Sequence, residues 1–281
     1  MLIVYSPRCL EYATPGHPES PDRVRSAATL LHKDHYLWAH PTPCSEQDIL
    51  RVHSPGVLAA VQRGPDTDPE TPFFPNIFEI ASLAAGGAIV AARHAVAGQP
   101  AFSLMRPPGH HATRDRLMGF CYFNNIAIAI AQLLETGAAR RVAIVDFDAH
   151  HGNGTEDIFR SDDRVLFVSL HQSPCYPGTG LLTLDNCLNF PLPPGVGPTA
   201  FLKSFDHALD KVRAFNPDFL AISAGFDAFK DDPITHMQLE VETFHDIAKR
   251  LKALKLPSFA VLEGGYAADF AHCVEAFVSA W

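Results

Sequence analysis

Short runs of apolar, largely β-branched residues recur along the chain, each closed by a turn signal, and most successive runs are separated by a stretch of helical periodicity. The runs are 2–5, 101–105, 142–147, 165–170, 219–223 and 258–262, each the length of a buried strand. Between most of them the apolar spacing predicts helices over 21–31, 76–96, 124–135, 199–215 and 239–254, the first with Ser20 as N-cap ahead of Pro21. Strands joined through helices run parallel, and the crossovers cover both faces of the sheet. Burial on both faces explains why the runs are continuously apolar instead of alternating. The expectation is an α/β fold with a mostly parallel sheet flanked by helices. No repeat, low-complexity segment or linker divides the 281 residues, so residues 1–281 are expected to form a single domain.

Composition removes several classes of function. The most apolar stretch, 80–92, is interrupted by Gly86 and Gly87 and followed by Arg93 and His94. It falls short of the ~18 residues of a membrane span and reads as a buried helix. A formal charge of −9 argues against the broad basic surface that binds nucleic acid. Cys9, Cys44, Cys121, Cys175, Cys187 and Cys273 form no CxxC pair, which fits reduced thiols better than a disulfide framework or a cysteine-zinc site. The start MLIVYSPR has no charged n-region followed by a long apolar segment, which predicts a cytoplasmic protein. Neither a nucleic-acid nor a membrane partner is expected, and the sequence leaves the oligomeric state open.

In open parallel sheets ligands bind beyond the carboxyl ends of the strands. Those ends are unusually polar in this chain. Met105 is followed by RPPGHHA, Val145 by DFDAHHGNGT, Leu170 by HQSPCYPGTG, Ser223 by AGFDAF and Leu262 by EGGYA. Five strand ends thus deliver His, Asp and Tyr to one rim. The segments 64–75 and 172–180 read as elaborated loops around it.

Asp146, Asp148 and His150 alternate at spacing two, so in extended backbone their side chains share a face. An Asp-x-His pair can chelate Zn²⁺ and, less selectively, Fe²⁺, Co²⁺ or Mn²⁺. Asp227, just past the 219–223 run, is the natural third ligand. The plainer reading, three residues capping a helix, is disfavoured: a cap uses one such group, and burying several without a cation is costly. His110 and His111 follow Arg106-Pro107-Pro108-Gly109, a stiffened approach that delivers two imidazoles able to move protons near neutral pH. Taken alone, they are equally well two surface-loop histidines. Gly264 and Gly265 would let the phenol of Tyr266 approach a reacting oxygen, although a core tyrosine after a turn is the commoner case. Gly119-Phe120-Cys121-Tyr122-Phe123 could line an apolar tunnel, or simply pack a core.

Taken together and in this order, RPPGHHA, GFCYFNN, VDFDAHHGNGTEDIF, SLHQSPCYPGTG, AGFDA and EGGY resemble the zinc-dependent histone deacetylase family, which includes acetylpolyamine amidohydrolases and bacterial deacetylase-like proteins. The likeness runs from HPESPDR near residue 17 to Tyr266. It implies an arginase-like fold, a single α/β domain with a parallel sheet of about eight strands.

The resemblance implies zinc held by Asp148, His150 and Asp227, with Tyr266 as the phenol that polarises the amide carbonyl. His110 and His111 fall where the family keeps its general base and its acid or electrostatic partner. Asp146 matches the acid behind the first histidine, and Asn153 stands behind the second, as in class II enzymes. A neutral amide raises the proton affinity of His111 less than a carboxylate does, which favours His110 as base, with the division of roles left open. A structural potassium ion would use Asp146, Asp148 and His150, largely through backbone oxygens, with Ser169 and Leu170. A second monovalent site would involve Phe159, Asp162 and Val165. Gly119, Phe120 and Tyr176 would wall an acyl-lysine tunnel together with Gly264 and Gly265, and Arg23 falls at an internal product channel. No rim carboxylate aligns cleanly within Asp66-Thr67-Asp68-Pro69-Glu70-Thr71, and Ala267 stands where Asn often follows the tyrosine.

The expected activity is hydrolysis of an Nε-acyl-lysine amide to amine and carboxylate by a zinc-dependent deacylase. Its rival on the same site is a small-molecule amidohydrolase acting on acetylpolyamines or another acylated amine. An arginase-type manganese enzyme would need a second set of bridging carboxylates, which the sequence does not show. A catalytically dead acyl-lysine-binding protein would have no need of Tyr266 and both histidines.

Overall fold

The sheet is built from the predicted runs and two further strands. They are β1 (Leu2–Val4), β2 (Leu37–Ala39), β3 (Ala101–Ser103), β4 (Val142–Asp146), β5 (Val165–Gln172), β6 (Cys187–Leu192), β7 (Phe219–Ala224) and β8 (Ser258–Leu262) in a computed structural model that describes residues 1–64 and 68–281. The order is β2-β1-β3-β8-β7-β4-β5-β6, and every pairing is parallel. β2 and β6 are the additions, and both lie at edges. β2 has only three residues. β6 carries Asn189 and Pro191 within its span, a composition that suits an edge strand, where a missing N–H is tolerated.

The helices are α1 (Pro21–Leu31), α2 (Glu46–Leu50), α3 (Pro55–Arg63), α4 (Ile77–Val96), α5 (Asn125–Glu135), α6 (Asn153–Phe159), α7 (Pro198–Phe215), α8 (Val241–Lys252) and α9 (Phe270–Ala280). Ser20 does occupy the N-cap position of α1 in extended backbone, but its hydroxyl makes no capping hydrogen bond; Pro21 at the first helical position is the operative signal. α1, α9, α8 and α7 pack in succession into one layer, while α4 and α5 pack on each other and against the sheet. Every residue of β4, β5, β7 and β8 is buried, so both faces of the sheet centre are covered.

Among the described residues α4 alone is long and apolar enough to cross a membrane, and 72% of that window is buried inside the protein. It contacts β1, β3, β8 and α5. A Cβ on Gly86 would overlap the carbonyl of Thr42. The missing side chain therefore lets the backbone after β2 lie on the helix, where Cys44 N–H donates to Ser82 O at 2.9 Å.

The five strand ends singled out by their polar residues belong to β3, β8, β7, β4 and β5, five consecutive strands of the sheet. Parallel pairing brings all their carboxyl ends to one edge, and the site forms there.

Candidate metal centre and active site

Asp148, His150 and Asp227 come together at the centre of that edge, with one donor atom from each within 4.8 Å of the others and all three side chains buried. His150 Nδ1 lies 2.7 Å from Asp227 Oδ2 and 3.1 Å from Asp148 Oδ1. The same-face reading of 146, 148 and 150 needs correction. β4 ends at Asp146, and beyond it Asp146 Oδ1 accepts the Asp148 N–H (3.1 Å) while Asp148 Oδ1 accepts the His150 N–H (2.9 Å). Two successive turns closed by aspartate replace the extended backbone. Asp146 is thereby aimed at His110 instead of joining the cluster. From the end of β7, Asp227 Oδ1 accepts the Ala149 N–H at 2.7 Å and ties the two loops together.

Burial, then the charge of Asp148, pushes the Asp227 carboxyl up to about 7. Burial alone would lower His150, but Asp227 and Asp148 hold it well above the ordinary imidazole range. Two desolvated carboxylates facing one imidazole make a pocket that only a proton or a cation can neutralise. The donor set of two carboxylate oxygens and one ring nitrogen fits a divalent metal of the zinc type with an open position.

His110 and His111 stand beside this cluster with ring centroids 4.1 Å apart. His110 Nδ1 is 3.0 Å from Asp146 Oδ2, and His111 Nδ1 is 2.7 Å from Asn153 Oδ1. Burial opposes protonation of His110, but Asp148, Asp146 and Glu263 outweigh it and raise the group to about 10. Burial, with His110 and His150 nearby, holds His111 well below its ordinary value. Asn153 Oδ1 can only accept, so His111 carries its hydrogen on Nδ1 and leaves Nε2 with a lone pair. His111 thus offers a ring nitrogen lone pair beside the cluster, and His110 a charged ring.

Glu263 closes the turn that presents the histidines. Its Oε2 accepts the N–H groups of Gly109 (2.7 Å) and His110 (3.1 Å), and its Oε1 accepts from Ser223 Oγ (3.0 Å). Tyr266 is held from both sides. Its N–H donates to Asp232 Oδ2 at 2.8 Å, and the Arg23 guanidinium lies 4.6 Å from its ring centroid. Arg23 also donates to Gly265 O (2.5 Å), Glu263 O (2.7 Å) and Glu19 Oε1 (3.0 Å). Burial pushes the Tyr266 phenol well above its ordinary value and keeps it a donor.

A cavity of about 470 Å³ opens onto these groups, lined by His110, His111, His150, Gly264 and Tyr266 below and by Gly119, Phe120, Tyr176, His17 and Glu70 above. The size suits a small ligand or an extended side chain. Tyr176 meets His111 edge-on at 5.2 Å, and Phe120 meets Tyr266 edge-on at 5.9 Å. Gly265 is not part of this wall: a Cβ there would meet Phe270 and Phe226. Ser169 pairs in register with Asp146, Leu170 is buried beside it, and Ser169 Oγ is 2.9 Å from His171 Nδ1. Asp66 and Thr67 lie outside the described residues; Glu70 of the same segment reaches the cavity mouth.

Glu19, Asp232 and Glu263 act on the site without having been singled out from the sequence. Glu263 stands next to the glycines of EGGY, and Asp232 five residues after Asp227, so proximity to the motifs was their only signal. Glu19 lies in the HPESPDR segment with none of the metal-ligand spacing that marks 146–150.

Residues 17–281 match the family described as the histone deacetylase domain. A probable deacetylase of Archaeoglobus fulgidus is 37% identical over 95% of this chain and 81% of its own length. Among solved structures, the HDA15 HD domain superposes with a TM-score of 0.94 at 32% identity, covering 99% of this chain and 90% of that one. An acetylpolyamine aminohydrolase of Burkholderia pseudomallei gives 0.92 at 28% identity, covering 100% of this chain and 98% of that one. With the site geometry, these likenesses show that the chain belongs to the histone deacetylase family of deacetylases and amidohydrolases, hydrolases of linear amides.

Proposed function

We propose that this protein is a zinc-dependent deacylase that hydrolyses the amide of an Nε-acyl-lysine to the free amine and a carboxylate. The observation that carries the reading is the convergence of the Asp148–His150–Asp227 cluster, the Tyr266 phenol and the His110–His111 pair at the base of one cavity. Zinc held by those three side chains supplies Lewis-acid polarisation of the amide carbonyl and an acidified water. Tyr266 donates its phenolic hydrogen to the carbonyl oxygen and stabilises the charge that develops there. His111 Nε2 accepts the proton of the attacking water. His110, charged and braced by Asp146, stabilises the developing negative charge, and the proton taken up by His111 is returned to the departing amine nitrogen. Gly119, Phe120 and Tyr176 exclude water from the acyl-lysine stem. A potassium ion beside Asp146, Ser169 and Leu170 belongs to the same reading, supported by the register of β4 and β5. Six free cysteines support action in the reducing cytoplasm.

A second reading, hydrolysis of an acetylpolyamine or another acylated small amine, is supported by the likeness to the acetylpolyamine aminohydrolase and by Glu70 at the cavity mouth, where a carboxylate can receive a cationic amine. The test is release of free amine from a panel of acyl-lysine peptides and acylated polyamines by zinc-loaded protein, with and without a hydroxamate chelator. Hydroxamate-sensitive turnover with a preference for peptides is expected; polyamine preference selects the second reading. Absence of zinc binding by the wild type, or a full equivalent of tight zinc in Asp227→Ala, overturns the metal site.

A further inference from the structure

Asn186 lies in the turn that leads into β6, and its side chain reaches back to the connection between α6 and β5. Its Oδ1 accepts the N–H of Ser161 at 2.7 Å. That bond fixes the orientation of the amide, because a flipped group would set its NH₂ against a backbone N–H. Nδ2 then sits 2.9 Å from Phe159 O, 3.1 Å from Asp162 O and 2.8 Å from Val165 O. Phe159 O and Asp162 O also accept the N–H groups of Asp162 and Val165, each at 3.0 Å, and a second lone pair on each carbonyl faces a common centre that favours a positive group. These are the residues at which the family resemblance implies a second monovalent cation, and a nitrogen of this chain takes the centre instead. The carboxylates of Asp162 and Asp185 are committed elsewhere. Asp162 is bound by Arg164 at 2.9 and 2.7 Å, and Asp185 by Arg160 at 3.3 Å and Ser161 Oγ at 3.1 Å. Neither is free to add charge for a cation.

We propose that the Asn186 amide is a built-in replacement for that cation, clamping the turn between α6 and β5 to the entry of β6 in place of a bound potassium or sodium ion. The two amide hydrogens serve the three carbonyls, one of them shared. The cation chemistry implied at Phe159, Asp162 and Val165 therefore does not fit this chain. The sheet edge that leads into the Tyr176 loop is closed independently of salt. The inference stands apart from the amide-hydrolase reading, since it concerns the edge of the sheet and not the reacting groups.

Two measurements on the full chain test it. In crystals equilibrated with rubidium chloride, anomalous scattering should show no rubidium between the three carbonyls of the wild type; a peak there, with the Asn186 amide turned away, overturns the proposal. In thermal unfolding, Asn186→Ala in choline chloride should melt roughly 3–6 °C below the wild type. Replacing choline by potassium at equal ionic strength should restore at least about half of that loss in the variant, with a smaller response in the wild type. An equal potassium response in the two proteins overturns the proposal as well.

Discussion

Gly264 donates its N–H to Asp148 Oδ2 at 2.7 Å. One carboxylate of the Asp148–His150–Asp227 cluster thus also anchors the loop that carries Tyr266 two residues later, so the cluster and the phenol are set by a shared group. Arg23 and Asp232 hold the same loop from outside through Gly265 O and the Tyr266 N–H. The geometry of the phenol is a property of this network and not of Tyr266 alone.

Gly264→Ala tests the coupling. A Cβ at this position would stand 2.6 Å from both Asp148 Oδ2 and Asp227 Oδ2, and backbone on one side and buried carboxylates on the other leave little room for adjustment. The expected result is a loss of at least ~10²-fold in kcat/KM together with reduced zinc content, since misplacement of positioned groups by about 1 Å has effects of that size. Zinc measured by elemental analysis beside the kinetics decides it; full zinc and ordinary turnover would mean that the loop adjusts freely.

Tyr266→Phe removes only the phenolic hydroxyl. The ring keeps its place between Arg23 and Phe120, so binding and metal content should persist. Loss of one donor to a developing oxyanion lowers kcat by about 10²–10³-fold. Steady-state kinetics with KM near the wild-type value is the expected signature, and near-normal kcat removes Tyr266 from the reaction.

Asn153→Asp addresses the two histidines. In the wild type burial, with His110 and His150 nearby, depresses His111, so it is free to accept a proton across the neutral range. A carboxylate at 153 would favour its charged form. The acid limb of the kcat/KM profile, which reports the pKa of the base, should then move to higher pH by about 1 unit. An unmoved limb would point back to His110.

Much of this was legible in the sequence because the central strands are continuously apolar and end in polar motifs. β8 was predicted with its observed limits, and the convergence of Asp148, His150 and Asp227 follows from their spacing and their place after strands. Other elements were missed for physical reasons. β2 is too short to show periodicity, and β6 mixes Asn189 and Pro191 into an edge strand. α9 was legible but unread: Phe270, Cys273, Val274, Phe277 and Val278 form a helical apolar stripe. The pairing of His110 with Asp146 and of His111 with Asn153 was legible through the family resemblance and is what the structure places together. Spacing along the chain alone does not encode it, because both partners come from distant segments.

Glu19 links stability to the site and predicts a specific acid sensitivity. The carboxylate is buried and receives Arg106 through both oxygens at 2.7 Å, Arg23 at 3.0 Å and the Tyr12 hydroxyl at 2.8 Å. Burial alone would raise its pKa, but Arg106 and then Arg23 outweigh it and bring Glu19 down to about 2. An unfolded glutamate titrates near ~4.3. The native state therefore binds this proton less readily than the unfolded one, so the stabilisation is complete above about pH 4.3 and disappears as pH falls through about 2. It is worth on the order of 3 kcal/mol. Because Glu19 holds Arg23, its protonation also loosens the guanidinium that grips Gly265 O and Glu263 O. Glu19→Gln should lower stability at pH 7 by about 3–5 kcal/mol, since it leaves Arg106 buried without its counter-charge. The gap between wild type and variant should narrow between about pH 4.3 and 2. Urea denaturation across that range measures the gap directly; curves that stay parallel down to the acid limit would show that Glu19 is not the titrating group.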